Sequence, residues 1–137
     1  MATIRKDLLL DVPAEHVWNA VRDVGAVHER LGPGFLLDAR MDGDARVVTF
    51  ASGMVVREPI VDVDDAARRL VYAAVGGMST HYNASMQVFP DGDRRCHLVW
   101  IIDLLPHALA PRVGALAEQA THVMKKTLEA SVDGVSG

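Results

Sequence analysis

The sequence predicts an α+β fold: an antiparallel sheet of seven strands with one long C-terminal helix. Three observations predict it. Between Phe35 and Leu105, six segments have the two-residue alternation of strands and are joined by short turns rich in Gly, Pro and Asp. From about His107 to Ser131 the apolar spacing becomes helical. A leading strand-like stretch, Thr3 to Asp11, is followed by two short helical ones.

In chain order, Asp11-Val12-Pro13 starts the first helix, with Asp11 or Val12 near the cap and Pro13 in the first turn. Val17, Trp18, Val21 and Val24 then recur at helical spacing until Gly25, and a second short helix through Val27–Leu31 ends at Gly32-Pro33-Gly34. GFLLDARM and RVVTFAS form a hairpin across Asp42-Gly43-Asp44. MVVREPIVDVD, RLVYAAV, STHYNASMQVF and CHLVWIIDLL continue the meander, with turns at Asp64–Ala67, Gly76-Gly77 and Pro90–Asp93. Leu109, Val113, Leu116, Ala117, Ala120, Met124 and Leu128 mark the apolar stripe of the last helix. Residues 1–132 are expected to form one domain and 133–137 a flexible tail.

At 137 residues, half of them hydrophobic, the chain is long enough to fold on its own core without disulfides or a structural metal. A net charge of −4 argues against nucleic acid as a partner, because an acidic chain gains nothing from counterion release at phosphates. Cys96, the single cysteine, reads as a small core hydrophobe. No apolar stretch has the length of a signal peptide or a membrane span, so a cytoplasmic protein without membrane insertion is expected. The six histidines form no spaced ligand pair, which leaves zinc without support, and no phosphate loop or dinucleotide fingerprint appears. No cofactor is expected. A homodimer through an exposed edge strand or helix face is compatible with the sequence but not decided by it.

VVREPIVDVDD, Val55 to Asp65, places a carboxylate in a strand whose hydrophobic residues point it toward the core. Val56 and Ile60 share the parity of Glu58, while Val61 and Val63 take the other. A bulge at Pro59 would turn Val56, Glu58, Val61 and Val63 all inward, because proline lacks the ladder N–H. The competing reading is an outward carboxylate paired with Arg57 or a neighbouring strand. An inward Glu58 requires a polar neighbour, for which Arg40 is one choice, and a raised pKa. Tyr82 shares a face with Ala84, Met86 and Val88 and should point inward, which places His81 outward. Asp103 lies in LVWIIDLLPH, apolar on both faces, and could reach the cavity or cap the last helix; Trp100 should occupy the opposite face from it. Met41, Met54, Met78, Met86 and Met124 suit the lining of an irregular apolar pocket.

VPAEHVWNAVRDV at Val12–Val24, VREPIVDVDDAARRLVY at Val56–Tyr72, the Gly76-Gly77 turn, HYNASMQV at His81–Val88, and Trp100 followed by Asp103 together resemble the START-type helix-grip (SRPBCC) superfamily, in its polyketide cyclase/dehydrase-like branch. The resemblance spans about Thr3 to Glu129. It implies a curved antiparallel sheet gripping the C-terminal helix around a largely apolar cavity. It also implies ligand contacts from a carboxylate matching Glu58 and a tyrosine matching Tyr82, with the loops at Gly53 and Gly76-Gly77 as lids. The chain departs from the receptor-like members at Pro59, where arginine is usual, and at Ala84, where a serine contacts ligand. No residue matches the cation that pairs with an acidic hormone.

The expected function is binding of a small hydrophobic or aromatic molecule, oriented by Glu58 and Tyr82. Tyr72, Ala84 and Met86 on the sheet and Leu116, Ala120 and Met124 on the helix would line the site. One alternative is a cyclase, aromatase or dehydratase using Glu58 or Asp103 as base and Tyr82 as proton donor. Another is an interaction module with a solid core.

Overall fold

The computed structural model describes residues 2–136, with side chains as far as Ser131. The strands are β1 (Ala2–Leu10), β2 (Leu36–Asp42), β3 (Ala45–Phe50), β4 (Val55–Asp64), β5 (Arg69–Ala73), β6 (His81–Pro90) and β7 (Cys96–Leu105). The helices are α1 (Ala14–Arg22), α2 (Val27–Arg30) and α3 (Ala110–Ser136). The seven strands form one antiparallel sheet in the order β1-β7-β6-β5-β4-β3-β2, so the meander closes by returning β7 beside β1. The expected tail over 133–137 falls on side chains outside the described ones.

Burial alternates along the central strands as the sequence requires. Leu70 and Tyr72 on β5, Ala84, Met86 and Val88 on β6, and Leu98, Trp100, Ile102 and Leu104 on β7 are buried on the concave side. The helix α3 faces them with Ala117, Ala120, Met124 and Leu128. At the far end α1 closes the gap between sheet and helix. Its Val17 and Val21 are wholly buried, and His16 Nε2 lies 2.8 Å from Ser131 Oγ on α3. Trp18 Nε1 and Arg22 Nε both donate to Asp65 Oδ1, at 2.9 and 2.8 Å, which fixes α1 to the turn between β4 and β5.

Two local expectations are corrected. Pro13 itself occupies the N-cap of α1 in an extended conformation, and no side chain caps that helix. The Asp11 N–H instead donates to Glu129 Oε2 at 2.9 Å, a contact to α3. The bulge of β4 lies between Ile60 and Asp62, not at Pro59. Val61, left unpaired by the bulge, is 63% exposed rather than inward, whereas Val63 pairs with Leu70 and so returns to its concave face as expected, at 38% exposure. Glu58 precedes the bulge and keeps the inward parity of Val56. Cys96 is buried, and burial pushes its thiol up to about 11, as suits an inert core residue.

Candidate functional site

The sheet is too wide for α3 to fill its concavity, and a cavity of ≈150 Å³ remains between them. Its walls come from four regions: Val48, Phe50, Val56 and Tyr72 from the sheet's outer half, Met86, Trp100 and Ile102 from its centre, Leu116, Ala120 and Met124 from α3, and Val27 and Leu31 from α2. The solid-core alternative is contradicted by this void. Arg46 and Glu58 are the two charged residues in the lining.

Those two side chains form an ion pair. Arg46 Nε donates to Glu58 Oε1 at 2.7 Å, with both side chains almost entirely buried. Strand pairing sets them directly opposite each other on β3 and β4. The guanidinium lies 4.8 Å from the centre of the Tyr72 ring, a cation–π contact, and its Nη1 reaches the Val24 carbonyl at 3.3 Å. Burial pushes the Glu58 carboxyl above its ordinary 4.5, and the charge and hydrogen bond of Arg46 oppose that push. The partner suggested from sequence, Arg40, is exposed on the edge strand. Arg46 was not singled out from the sequence. The available signal was the hairpin centred on Ser52, which sets Arg46 opposite Glu58 just as it sets Val48 opposite Val56.

The polar wall continues through three aromatic residues. Trp100 Nε1 donates to the Tyr72 hydroxyl at 3.2 Å, and the Tyr82 ring lies 6.4 Å from that of Tyr72, centre to centre. Burial holds both tyrosine hydroxyls well above their ordinary value, so both stay protonated. Such a buried pair stabilises little. The cost of desolvating two charges offsets their attraction, and apolar residues of similar volume commonly do as well. Its place on a cavity wall therefore points to a role toward whatever enters.

Most sequence-predicted positions converge here: Glu58, Tyr82, Tyr72, Met86, Leu116, Ala120 and Met124 all line the cavity. Ala84 does not. It lies in a cross-strand row between Tyr72 and Ile102 and is wholly buried. Asp103 also stays outside. It is on the convex face, where it accepts from Thr3 Oγ1 at 2.7 Å and Asn83 Nδ2 at 3.3 Å, so it neither reaches the cavity nor caps the last helix. Trp100, of opposite parity, faces inward, and His81 is exposed. Of the five methionines expected in the lining, Met41 alone is outside it; it is 47% exposed and lies against Gly25.

At the mouth, Gly76 and Gly77 adopt φ of +91° and +81°, a turn that side chains with a Cβ rarely tolerate. Met54, Met78 and Leu116 line both the cavity and an outer depression that includes Arg112 and Gln119, so these three side chains form the partition between inside and outside. Among the described residues, no group of three or more His, Cys, Asp or Glu could hold a metal ion, and no helix is long and apolar enough to cross a membrane.

A seven-stranded antiparallel sheet gripping a long C-terminal helix around such a void is the helix-grip fold, which is shared with a solved START superfamily protein. The chain belongs to the family described as polyketide cyclase / dehydrase and lipid transport, whose model matches residues 1–135. Similar solved structures include a protein from Thermobifida fusca, at 26% identity and TM-score 0.72, covering 95% of this chain and 91% of that one. A START superfamily protein from Mycobacterium smegmatis has 15% identity and TM-score 0.73, covering 97% and 98%. The di-domain ARO/CYC BexL from the BE-7585A biosynthetic pathway has 14% identity and TM-score 0.82, covering 94% of this chain and 47% of that one. No functionally curated protein matches the sequence.

Proposed function

We propose that the protein binds a small hydrophobic or aromatic molecule in the cavity between the sheet and α3. The observation that carries this reading is a void of ≈150 Å³ with apolar walls and one cluster of polar groups, the composition of a ligand site. A void of about this size accepts a benzene-sized ring. Membership of a family described as polyketide cyclase / dehydrase and lipid transport supports it. Met54, Met78 and Leu116, carried partly on the glycine turn at Gly76-Gly77, act as the gate, since glycine permits the backbone changes of a lid.

Ring-sized apolar compounds should protect the fold against heat. At a tenfold excess over the dissociation constant, linkage gives about 1.4 kcal/mol, or a rise in Tm of roughly 4 °C that keeps growing with the logarithm of concentration. A screen of such compounds in which none raises Tm contradicts the proposal.

One observation favours a second reading, a polyketide cyclase, aromatase or dehydratase. Glu58, its carboxyl pushed up by burial, shares a wall with Tyr82, so a base and a proton donor face one space. Asp103 has no part in it. Glu58→Gln distinguishes the readings: lost turnover with retained binding indicates chemistry, and weakened binding without any turnover indicates a carrier.

A further inference from the structure

We infer that the cavity selects an uncharged ligand of about one ring, whose single polar group both donates a hydrogen bond to Glu58 and accepts one from Arg46. This inference rests on the binding role proposed above and narrows it to a chemical class: a ring-sized alcohol, phenol or primary amide rather than a carboxylate or an amine.

The argument starts from what the ion pair has already satisfied. Glu58 Oε1 takes the Arg46 Nε proton, and Arg46 Nη1 reaches a backbone carbonyl. Glu58 Oε2 and Arg46 Nη2 have no hydrogen bond to any described residue. Among the described residues, the one side-chain polar atom sealed from solvent without a partner is His28 Nδ1, so Oε2 and Nη2 are not sealed, and both of their residues line the void. One is an acceptor and the other a donor, on two side chains joined by the 2.7 Å contact.

Charge completes it. Arg46 and Glu58 cancel, Tyr72 and Tyr82 are neutral, and no other charged residue lines the cavity. A carboxylate entering this space would be desolvated against a guanidinium whose charge is already matched, and would face Glu58 as a like charge. An ammonium would meet the mirror-image problem. Unmatched charge in an apolar site carries a large penalty, whereas a hydroxyl completes both open hydrogen bonds at little cost.

A matched series tests this: toluene, benzyl alcohol, benzoate and benzylammonium, titrated at pH 8 and followed by the methyl resonances of Met86 and Met124, which are buried in the cavity wall. The readout ignores any anion held outside by Arg112. Benzyl alcohol should bind at least tenfold more tightly than either ion and several-fold more tightly than toluene. Glu58→Gln leaves the guanidinium unmatched and should shift preference to benzoate. The double variant Arg46→Met/Glu58→Leu should erase the advantage of benzyl alcohol over toluene. Benzoate or benzylammonium equalling benzyl alcohol in the unaltered protein overturns the inference, whatever the variants do. Binding of toluene with no gain from the hydroxyl overturns it while leaving the binding role intact. If no compound perturbs either methionine, both fail.

Discussion

Arg46→Met should destabilise the protein by about 3–5 kcal/mol at pH 8, because it leaves the buried Glu58 carboxylate without its counter-charge. The loss should depend on pH in a defined direction. The folded-state pKa of Glu58 already stands above its ordinary 4.5, so the stability it contributes is complete below that value and is lost as pH rises through the raised one. Removing Arg46 removes the influence that holds the value down. The deficit of the variant should therefore grow from pH 5 to pH 8. Urea unfolding at several pH values measures it. Replacing both partners, in Arg46→Met/Glu58→Leu, should restore stability to within about 1 kcal/mol of the parent, since apolar substitutes for a buried pair are commonly neutral. A deficit independent of pH, or a double variant as unstable as the single one, contradicts this account of the pair.

The second large effect concerns the void itself. Ala120 on α3 is buried and its methyl group lines the cavity. Ala120→Phe inserts a ring of the size that fills a void of about 150 Å³. It should stabilise the fold by about 0.5–2 kcal/mol, as cavity-filling substitutions do, and weaken binding of ring-sized compounds by about a hundredfold or more. Opposite signs for stability and binding are the signature of an occupied hollow. Thermal unfolding with and without ligand gives both quantities. A variant that binds as well as the parent places the ligand elsewhere.

Much of this architecture was legible before any coordinates. The period change at Phe35 and its return near His107 locate the six-strand meander and the last helix, and inward parity from Tyr82 through Val88 is borne out strand by strand. The interior of the site was legible only in part. Glu58 was expected inward, but through a bulge at Pro59; the irregularity falls two residues later, where it turns Val61 outward. A proline marks a weak point in a ladder, and where the slip falls depends on both strands. Arg46 escaped because charge on a strand is ordinarily solvent-facing, and only cross-strand register shows that its neighbour is a buried carboxylate. Asp103 illustrates the converse: in a segment apolar on both sides, parity carries no information, and hydrogen bonds from Thr3 and Asn83 settle the convex face.

The central claim is that an apolar hollow beside Arg46 and Glu58 receives a ring. Crystals soaked in iodobenzene test it most directly, because anomalous scattering locates the iodine without prior assumptions. The account predicts an iodine peak enclosed by Tyr82, Met86, Ala120 and Met124, absent from crystals of Ala120→Phe. Iodine found only on the outer surface, or side chains closed into the space with no room for a ring, would contradict it.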